Sequence, residues 1–189
     1  MRFDVPNGVY EPREDSYLVS DVIADMDLEG RTVLDVGTGC GFLAVVAAAN
    51  GATVTATDIN QRALDAARDN AAQNGVEIDV VESDLFDGID GVFDVVCFNA
   101  PYIPGSREDR TEEELAWYGG EDGRAVIERF IAGVNEHLAD DGTVLLVQSS
   151  VTGIDECLDS FEEHGFGAEI VAEEKVSWEE LVVIRAWKI

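Results

Sequence analysis

Lysine is almost missing from this chain. Only Lys175 and Lys188 occur in 189 residues, and Lys plus Arg total 12 against 40 Asp plus Glu, a formal charge of −28. Such a balance leaves no basic stripe, and affinity for nucleic acid rests largely on phosphate contacts, so direct nucleic-acid binding is not expected. Long apolar runs are missing too. None approaches the roughly 20 residues of a membrane-spanning helix, and the opening residues lack the basic-then-apolar pattern of a secretory signal. Cysteine is scarce. Cys40, Cys97 and Cys157 stand apart without C-x-x-C spacing, which argues against a metal site or a disulfide framework and suits a reducing, cytoplasmic setting. Repeats, low-complexity tracts and linkers are absent.

Acids are abundant, and they are spread along the chain instead of forming a tail. They alternate with regular apolar runs, and 46% of the residues are hydrophobic. That combination predicts one folded domain, residues 1–189, with a sizeable core, and not a disordered polyanion. A surface of hydrated carboxylates with few lysines suits molar salt, where screening removes self-repulsion. The composition therefore points to a salt-accumulating archaeon.

The apolar pattern alternates between strand and helix periods. Leu18, Val19, Val22, Ile23 and Met26 form a helical stripe within Glu14 to Met26. Strands are expected at Thr32 to Val36, Thr53 to Thr57, Ile78 to Val81, Phe93 to Phe98 and Thr143 to Gln148. Two more are expected near Ala168 to Ala172 and Leu181 to Trp187. Helices are expected at Phe42 to Asn50, from Asn60 to about Asn74 with Gly75 closing it, at Gly123 to Leu138 and at Ile154 to His164. The polar segment Gly105 to Gly120 is too long for an ordinary connection and is read as functional. The alternation calls for one α/β sheet with helices on both faces.

The most informative segment is Asp35-Val36-Gly37-Thr38-Gly39-Cys40-Gly41. It joins a strand to a helix through a glycine turn, where doubly wound sheets bind nucleotide-like ligands. The glycines Gly37, Gly39 and Gly41 fall at G-x-G-x-G, not at the dinucleotide spacing G-x-G-x-x-G. Asp35, just before them, would repel a pyrophosphate but suits a ligand with a cationic end, such as the ammonium of S-adenosylmethionine. Asp58, at the tip of the second strand, can take both ribose hydroxyls. A third acid, Asp84 in Ser83-Asp84-Leu85, can accept the adenine amino group. Three acids at three successive strand tips make S-adenosylmethionine the expected cofactor.

The fourth strand tip carries Asn99-Ala100-Pro101-Tyr102. Here the chain resembles the class I S-adenosylmethionine-dependent methyltransferases, whose fold is a Rossmann-like seven-stranded sheet. More narrowly, it resembles those that methylate planar amino groups through an Asn-Pro-Pro-Tyr motif. The resemblance implies that the Asn99 side-chain oxygen and the Ala100 carbonyl hold the two N–H groups of the acceptor nitrogen, with Tyr102 as a flat wall. Ala100 stands where that family has proline. The carbonyl is kept, and Pro101 still biases residue 100 toward extended backbone.

Two flanking segments narrow the resemblance. Val9-Tyr10-Glu11-Pro12-Arg13-Glu14-Asp15-Ser16-Tyr17-Leu18 and Trp117-Tyr118-Gly119-Gly120-Glu121-Asp122-Gly123-Arg124 resemble segments of the archaeal and eukaryotic HemK-type release-factor glutamine methyltransferases. These modify the Gln of a Gly-Gly-Gln motif. The resemblance implies archaeal release factor 1 as substrate and places Ser16 near the donor's carboxylate end. The larger bacterial relatives carry an extra N-terminal helical domain, for which this chain has no room. It also implies a small zinc-binding activator subunit as heterodimer partner, with the zinc on the partner. In the expected strand order, Ile78 to Val81 is an open sheet edge that such a partner can extend. Two other readings use the same motifs. One is an adenine-N6 methyltransferase of DNA or RNA, which would flip its base into the pocket; the charge of −28 opposes it. The other is a non-catalytic donor-binding subunit, which only Ala100 favours.

Overall fold

The apolar runs fold as strands of one sheet, and side-chain alternation within them decides the layers. The computed structural model describes residues 1–105 and 118–189. Its elements are α1 (Glu14–Ala24), β1 (Thr32–Val36), α2 (Phe42–Ala49), β2 (Thr53–Asp58), α3 (Gln61–Asn74), β3 (Asp79–Glu82), β4 (Phe93–Asn99), α4 (Ala125–Val134), β5 (Leu138–Ser149), α5 (Ile154–Glu163), β6 (Phe166–Lys175) and β7 (Glu180–Lys188). The strand order is β3-β2-β1-β4-β5-β7-β6. The first five strands pair in parallel, while β7 runs antiparallel between β5 and β6.

On one face Leu34, Val96, Phe98, Val144, Leu146 and Ile184 pack against Ile127, Phe130 and Ile131 of α4 and Phe161 of α5. On the other, their strand neighbours Val33, Val95, Cys97, Leu145, Val147 and Val183 meet Val19 and Ile23 of α1 and Leu43, Ala44 and Ala47 of α2. Successive strand residues point to opposite faces, so both layers are written into the same short runs. At the N-terminal ends of the central strands, opposite the tips, Asp94 accepts from the Thr32 N–H at 2.7 Å and from Arg31 Nη1 at 3.0 Å, which ties β1 to β4.

Caps follow the sequence closely. The Asn60 side chain accepts from the Arg62 N–H to start α3, and Gly75 ends that helix in the left-handed region. Other ends shift. α1 stops at Ala24 and not at Met26, and α4 spans Ala125–Val134, shorter than the expected helix. β5 is longer than expected because Leu138 already pairs with Phe93, before a register shift between Phe93 and Val95. β3 sits one residue later than Ile78 to Val81, at the expected edge beside β2. Of the polar segment read as functional, residues 106–117, including Trp117, lie outside the described residues.

One aromatic cluster joins the α4 layer to the glycine turn. Phe130 is fully buried, with ring centroids 5.5 Å from Phe86 and 4.9 Å from Phe98. A Cβ on Gly37 would lie 3.1 Å from the Phe98 ring. Phe130→Ala is expected to lower unfolding free energy by about 3–5 kcal/mol through lost burial and a residual cavity. A denaturant midpoint shift with unchanged slope checks it.

Candidate active site

The C-terminal tips of β1, β2 and β4 and the loop after β3 open on one cleft of about 1100 Å³. It lies where the strand order reverses between β1 and β4, the position at which open α/β sheets take ligands. Asp35 forms its floor and is 1% exposed. Its Oδ2 accepts from the Thr38 hydroxyl at 2.6 Å and the Ala44 N–H at 3.1 Å. The Cys97 thiol lies 3.5 Å from Oδ1. Burial pushes the Asp35 carboxyl up to about 6, against the pull of these donors. Asp35 thus holds the glycine turn by hydrogen bonds and keeps a negative field under it.

Asp58 ends β2. Its Oδ2 accepts from the Gly39 N–H and its Oδ1 from the Asn60 N–H, both at 2.9 Å. Burial raises its pKa and these N–H groups oppose the rise. The carboxylate is aimed by the turn on one side and by the start of α3 on the other. Gly41 allows this closeness. Its φ is +83°, and a Cβ there would stand 2.8 Å from Ala67 Cα. Beyond β3, Asp84 pairs with Arg129 of α4 at 3.0 Å. Leu85 has φ +54°, the one positive φ outside glycine among the described residues.

The other half of the cleft is built around Asn99. Its Nδ2 donates to Ser16 Oγ at 3.1 Å. The Ser16 hydroxyl donates to Asp15 Oδ1 at 3.0 Å, and the Tyr10 hydroxyl donates to Asp15 Oδ2 at 2.6 Å. This chain sets the orientation of the Asn99 amide. With its proton committed to Asp15, Ser16 can only accept, so the NH₂ faces Ser16 and Oδ1 faces away. Asn99 Oδ1 is buried and has no hydrogen-bond partner among the described residues. Tyr102 lines the cleft beside it. Burial and then the Asp15 charge push the Tyr10 and Tyr102 phenols well above their usual range, so both stay protonated donors.

A second segment backs this loop. The Gly119 N–H donates to Ile103 O and the Gly105 N–H to Gly120 O, both at 3.1 Å. A Cβ on Gly119 would lie 2.6 Å from Pro101 O, so only glycine lets the return strand lie against the main chain of the Asn99 loop. Arg124 then fastens α4 through Thr152 O at 2.9 Å, Gly153 O at 3.1 Å and an ion pair with Glu128. The turn between β6 and β7 supplies the remaining wall. Glu179 accepts there from Ser149, and Trp178 stands 69% exposed on the rim.

The structure brings Ser16, Asp35, Gly37, Gly39, Asp58, Asp84, Leu85, Asn99, Ala100, Pro101 and Tyr102 to this one cleft. Gly41 sits behind it against α3. Sequence reasoning missed the use of Tyr10 and Asp15, although both lie in a segment it quoted. His137 stacks on Phe86 at 4.7 Å and His164 Nδ1 lies 2.8 Å from Ser160 O, both in structural settings away from the cleft.

A glycine turn after β1, an acid fixed at the tip of β2 and a cleft at the strand-order reversal define a class I methyltransferase that uses S-adenosylmethionine. The residues fit that donor: a turn in which every second residue is glycine, and a carboxylate fixed at the tip of β2 beside it. Residues 15–175 match the Methyltransferase small domain family. The chain is 41% identical over 184 residues to a Methanocaldococcus jannaschii protein provisionally named a protein N5-glutamine methyltransferase, covering 96% of this chain and 92% of the relative. It is 32% identical over 189 residues to mouse Methyltransferase HEMK2, covering 94% and 88%. The solved E. cuniculi Mtq2–Trm112 complex, described as responsible for methylating the eRF1 translation termination factor, matches at TM-score 0.78 and 31% identity, over 96% of this chain and 99% of that one. The chain spans about half the length of the bacterial release factor glutamine methyltransferases it matches, 56% in Streptococcus pneumoniae. It belongs to the HemK-type protein N5-glutamine methyltransferases within the Methyltransferase small domain family.

Asp35 gives the site a pH signature. Its folded value of about 6 lies above the ordinary 3.8. Its protonation therefore favours the folded state, fully below the ordinary value and not at all once pH has risen past the folded one. The donor's ammonium favours the charged form. Donor affinity, measured by calorimetry, should fall between about pH 7 and pH 5, while Asp35 contributes more to the stability of the donor-free protein over the same window. Asp35→Asn should flatten the first dependence and raise donor-free stability near neutrality.

Proposed function

We propose that this protein methylates N5 of the glutamine in the Gly-Gly-Gln motif of archaeal translation release factor 1, in the cytoplasm of a salt-accumulating archaeon. The observation that carries this reading is Asn99. Its NH₂ is held by Ser16, and its Oδ1 is buried without a partner among the described residues. A primary amide presents two coplanar N–H groups. Asn99 Oδ1 takes one, the Ala100 carbonyl takes the other, and the Tyr102 ring lies against the amide plane. An amide nitrogen is a poor nucleophile because its lone pair is delocalised, so alignment has to supply much of the rate. S-adenosylmethionine supplies a methyl group already activated on a sulfonium. Gly37, Gly39 and Asp58 seat that donor, and the chain needs no dedicated base.

The partner reading rests on the sheet edge. β3 pairs only with β2 among the described residues and carries half-buried Val80 and Val81. A small zinc-binding subunit adding a strand there would complete the sheet and cover those side chains. The complex found with the E. cuniculi relative supports a small partner of this kind.

Mass spectrometry of a Gly-Gly-Gln peptide and of intact release factor, after incubation with enzyme, subunit and donor, tests the substrate. The expected product carries one methyl on the glutamine. Methylation of an adenine-containing oligonucleotide in place of the peptide would overturn the reading. Asn99→Ala should remove most turnover and leave donor affinity nearly intact, since the lost bond acts on the acceptor. Asp58→Ala should weaken donor binding by about 1.5–3 kcal/mol, the range for a charge-assisted bond. Mass measurement in concentrated salt should show a one-to-one complex with the subunit and higher activity than the chain alone. An active monomer indifferent to the subunit would refute the partner.

A further inference from the structure

Residues 2–9 run along α3 and are held there by asparagine side chains. Asn74 accepts from the Arg2 N–H at 2.9 Å and donates to Arg2 O at 2.7 Å. One helical turn earlier, Asn70 accepts from the Asp4 N–H at 2.9 Å and donates to Asp4 O at 3.0 Å. Each carboxamide therefore serves one residue as a neighbouring strand would, with one donor and one acceptor. The spacing matches: four helical residues advance about 6 Å and two extended residues about 6.8 Å. Nearer the cleft, Asn60 Nδ2 donates to Gly8 O at 2.9 Å.

Asn70 also does something its helix does not require. Its second Nδ2 proton goes to Cys40 O at 2.8 Å, in the glycine turn itself. At 1% exposure it is fully satisfied and joins the N-terminal segment to the turn through a single amide. A second tie is apolar. The Phe3 ring lies edge-on to Phe42, the first residue of α2, with centroids 5.0 Å apart. Val5 and Val9 pack with Cys40, Ala63 and Ala66. Past Gly8 the same segment becomes cleft wall at Val9 and Tyr10.

We infer that residues 2–9 form a strap whose docking on α3 sets donor affinity, with Asn70 as the positioning residue that couples strap to glycine turn. Neither Asn70 nor Phe3 lines the cleft, so both act through the turn. Donor binding and strap docking stabilise each other by the same amount, as any two linked equilibria must. The carboxamide ties carry no net charge, so salt that screens the ion pairs leaves them intact. The inference concerns the donor alone and stands or falls apart from the identity of the methyl acceptor.

Three single variants test it: Asn70→Ala, Asn70→Asp, which faces a carboxylate toward the Asp4 and Cys40 carbonyls, and Phe3→Ala, which leaves α3 untouched. Calorimetry with S-adenosylmethionine should show dissociation constants raised about tenfold in each, with donor KM raised alike and kcat at saturating donor within about twofold. Hydrogen exchange supplies a readout independent of turnover. In the unmodified protein, donor should slow exchange of the Arg2 and Asp4 amides about tenfold, and in Asn70→Ala it should not. If the Asn70 variants fail to fold, Phe3→Ala decides. Unchanged donor affinity in folded Phe3→Ala, or Arg2 and Asp4 amides indifferent to donor in the unmodified protein, overturns the inference.

Discussion

A charge buried at the tip of β1 governs this molecule. Asp35 has almost no contact with water, and a carboxylate in that position persists only because Thr38, Ala44 and Cys97 surround it with donors. Those donors come from the glycine turn, the first turn of α2 and the neighbouring strand β4. Satisfying one carboxylate therefore fixes the path of the turn, the start of the helix and the register of two strands. The turn in turn presents the Gly39 N–H to Asp58. The donor half of the cleft follows from where Asp35 places its bonds.

The acceptor half depends on a parallel device of opposite logic. Asn99 gains an orientation because Asp15, supplied by α1, commits the Ser16 proton first. The polar chain from Tyr10 to Asn99 is satisfied, among the described residues, at every point except Asn99 Oδ1. An unpaired acceptor in a buried place is unfavourable in the donor-only state and favourable once an amide N–H meets it. That difference is the physical basis of the proposed preference for a planar NH₂ group.

Much of this was legible in the sequence, for reasons that particular residues make plain. The strands at Val33, Val95 and Leu145 are buried on both faces, so they read as short, nearly continuous apolar runs. Asn60 and Gly75 mark the ends of α3 because each acts on the backbone beside it, Asn60 through its side chain and Gly75 through its left-handed φ. β6 was read as half its true length, since Glu169, Glu173 and Glu174 interrupt its pattern at an exposed edge. What stayed hidden was of another kind. The ties from Asn70 to Cys40 and from Gly119 to the Asn99 loop end on main-chain atoms, which every residue type carries alike. A partner that is a carbonyl leaves no trace in residue identity. The acid at the tip of β3 could be placed, but its pairing with Arg129 could not, because α4 meets that loop only after the sheet is assembled.

The insertion of β7 between β5 and β6 carries a consequence for biosynthesis. The cleft is walled on one side by residues before α1 and on the other by the β6–β7 turn, segments nearly a chain length apart. On a ribosome, the early strands can pair and the glycine turn can close while the second wall has yet to be made. Such an intermediate has the glycine turn but lacks the β6–β7 wall of the cleft. Bringing the two segments together is slow, as all pairing between sequence-distant segments is, although its entropic penalty grows only with the logarithm of their separation. The cleft is therefore complete only once the last-made strands, β6 and β7, have joined the sheet.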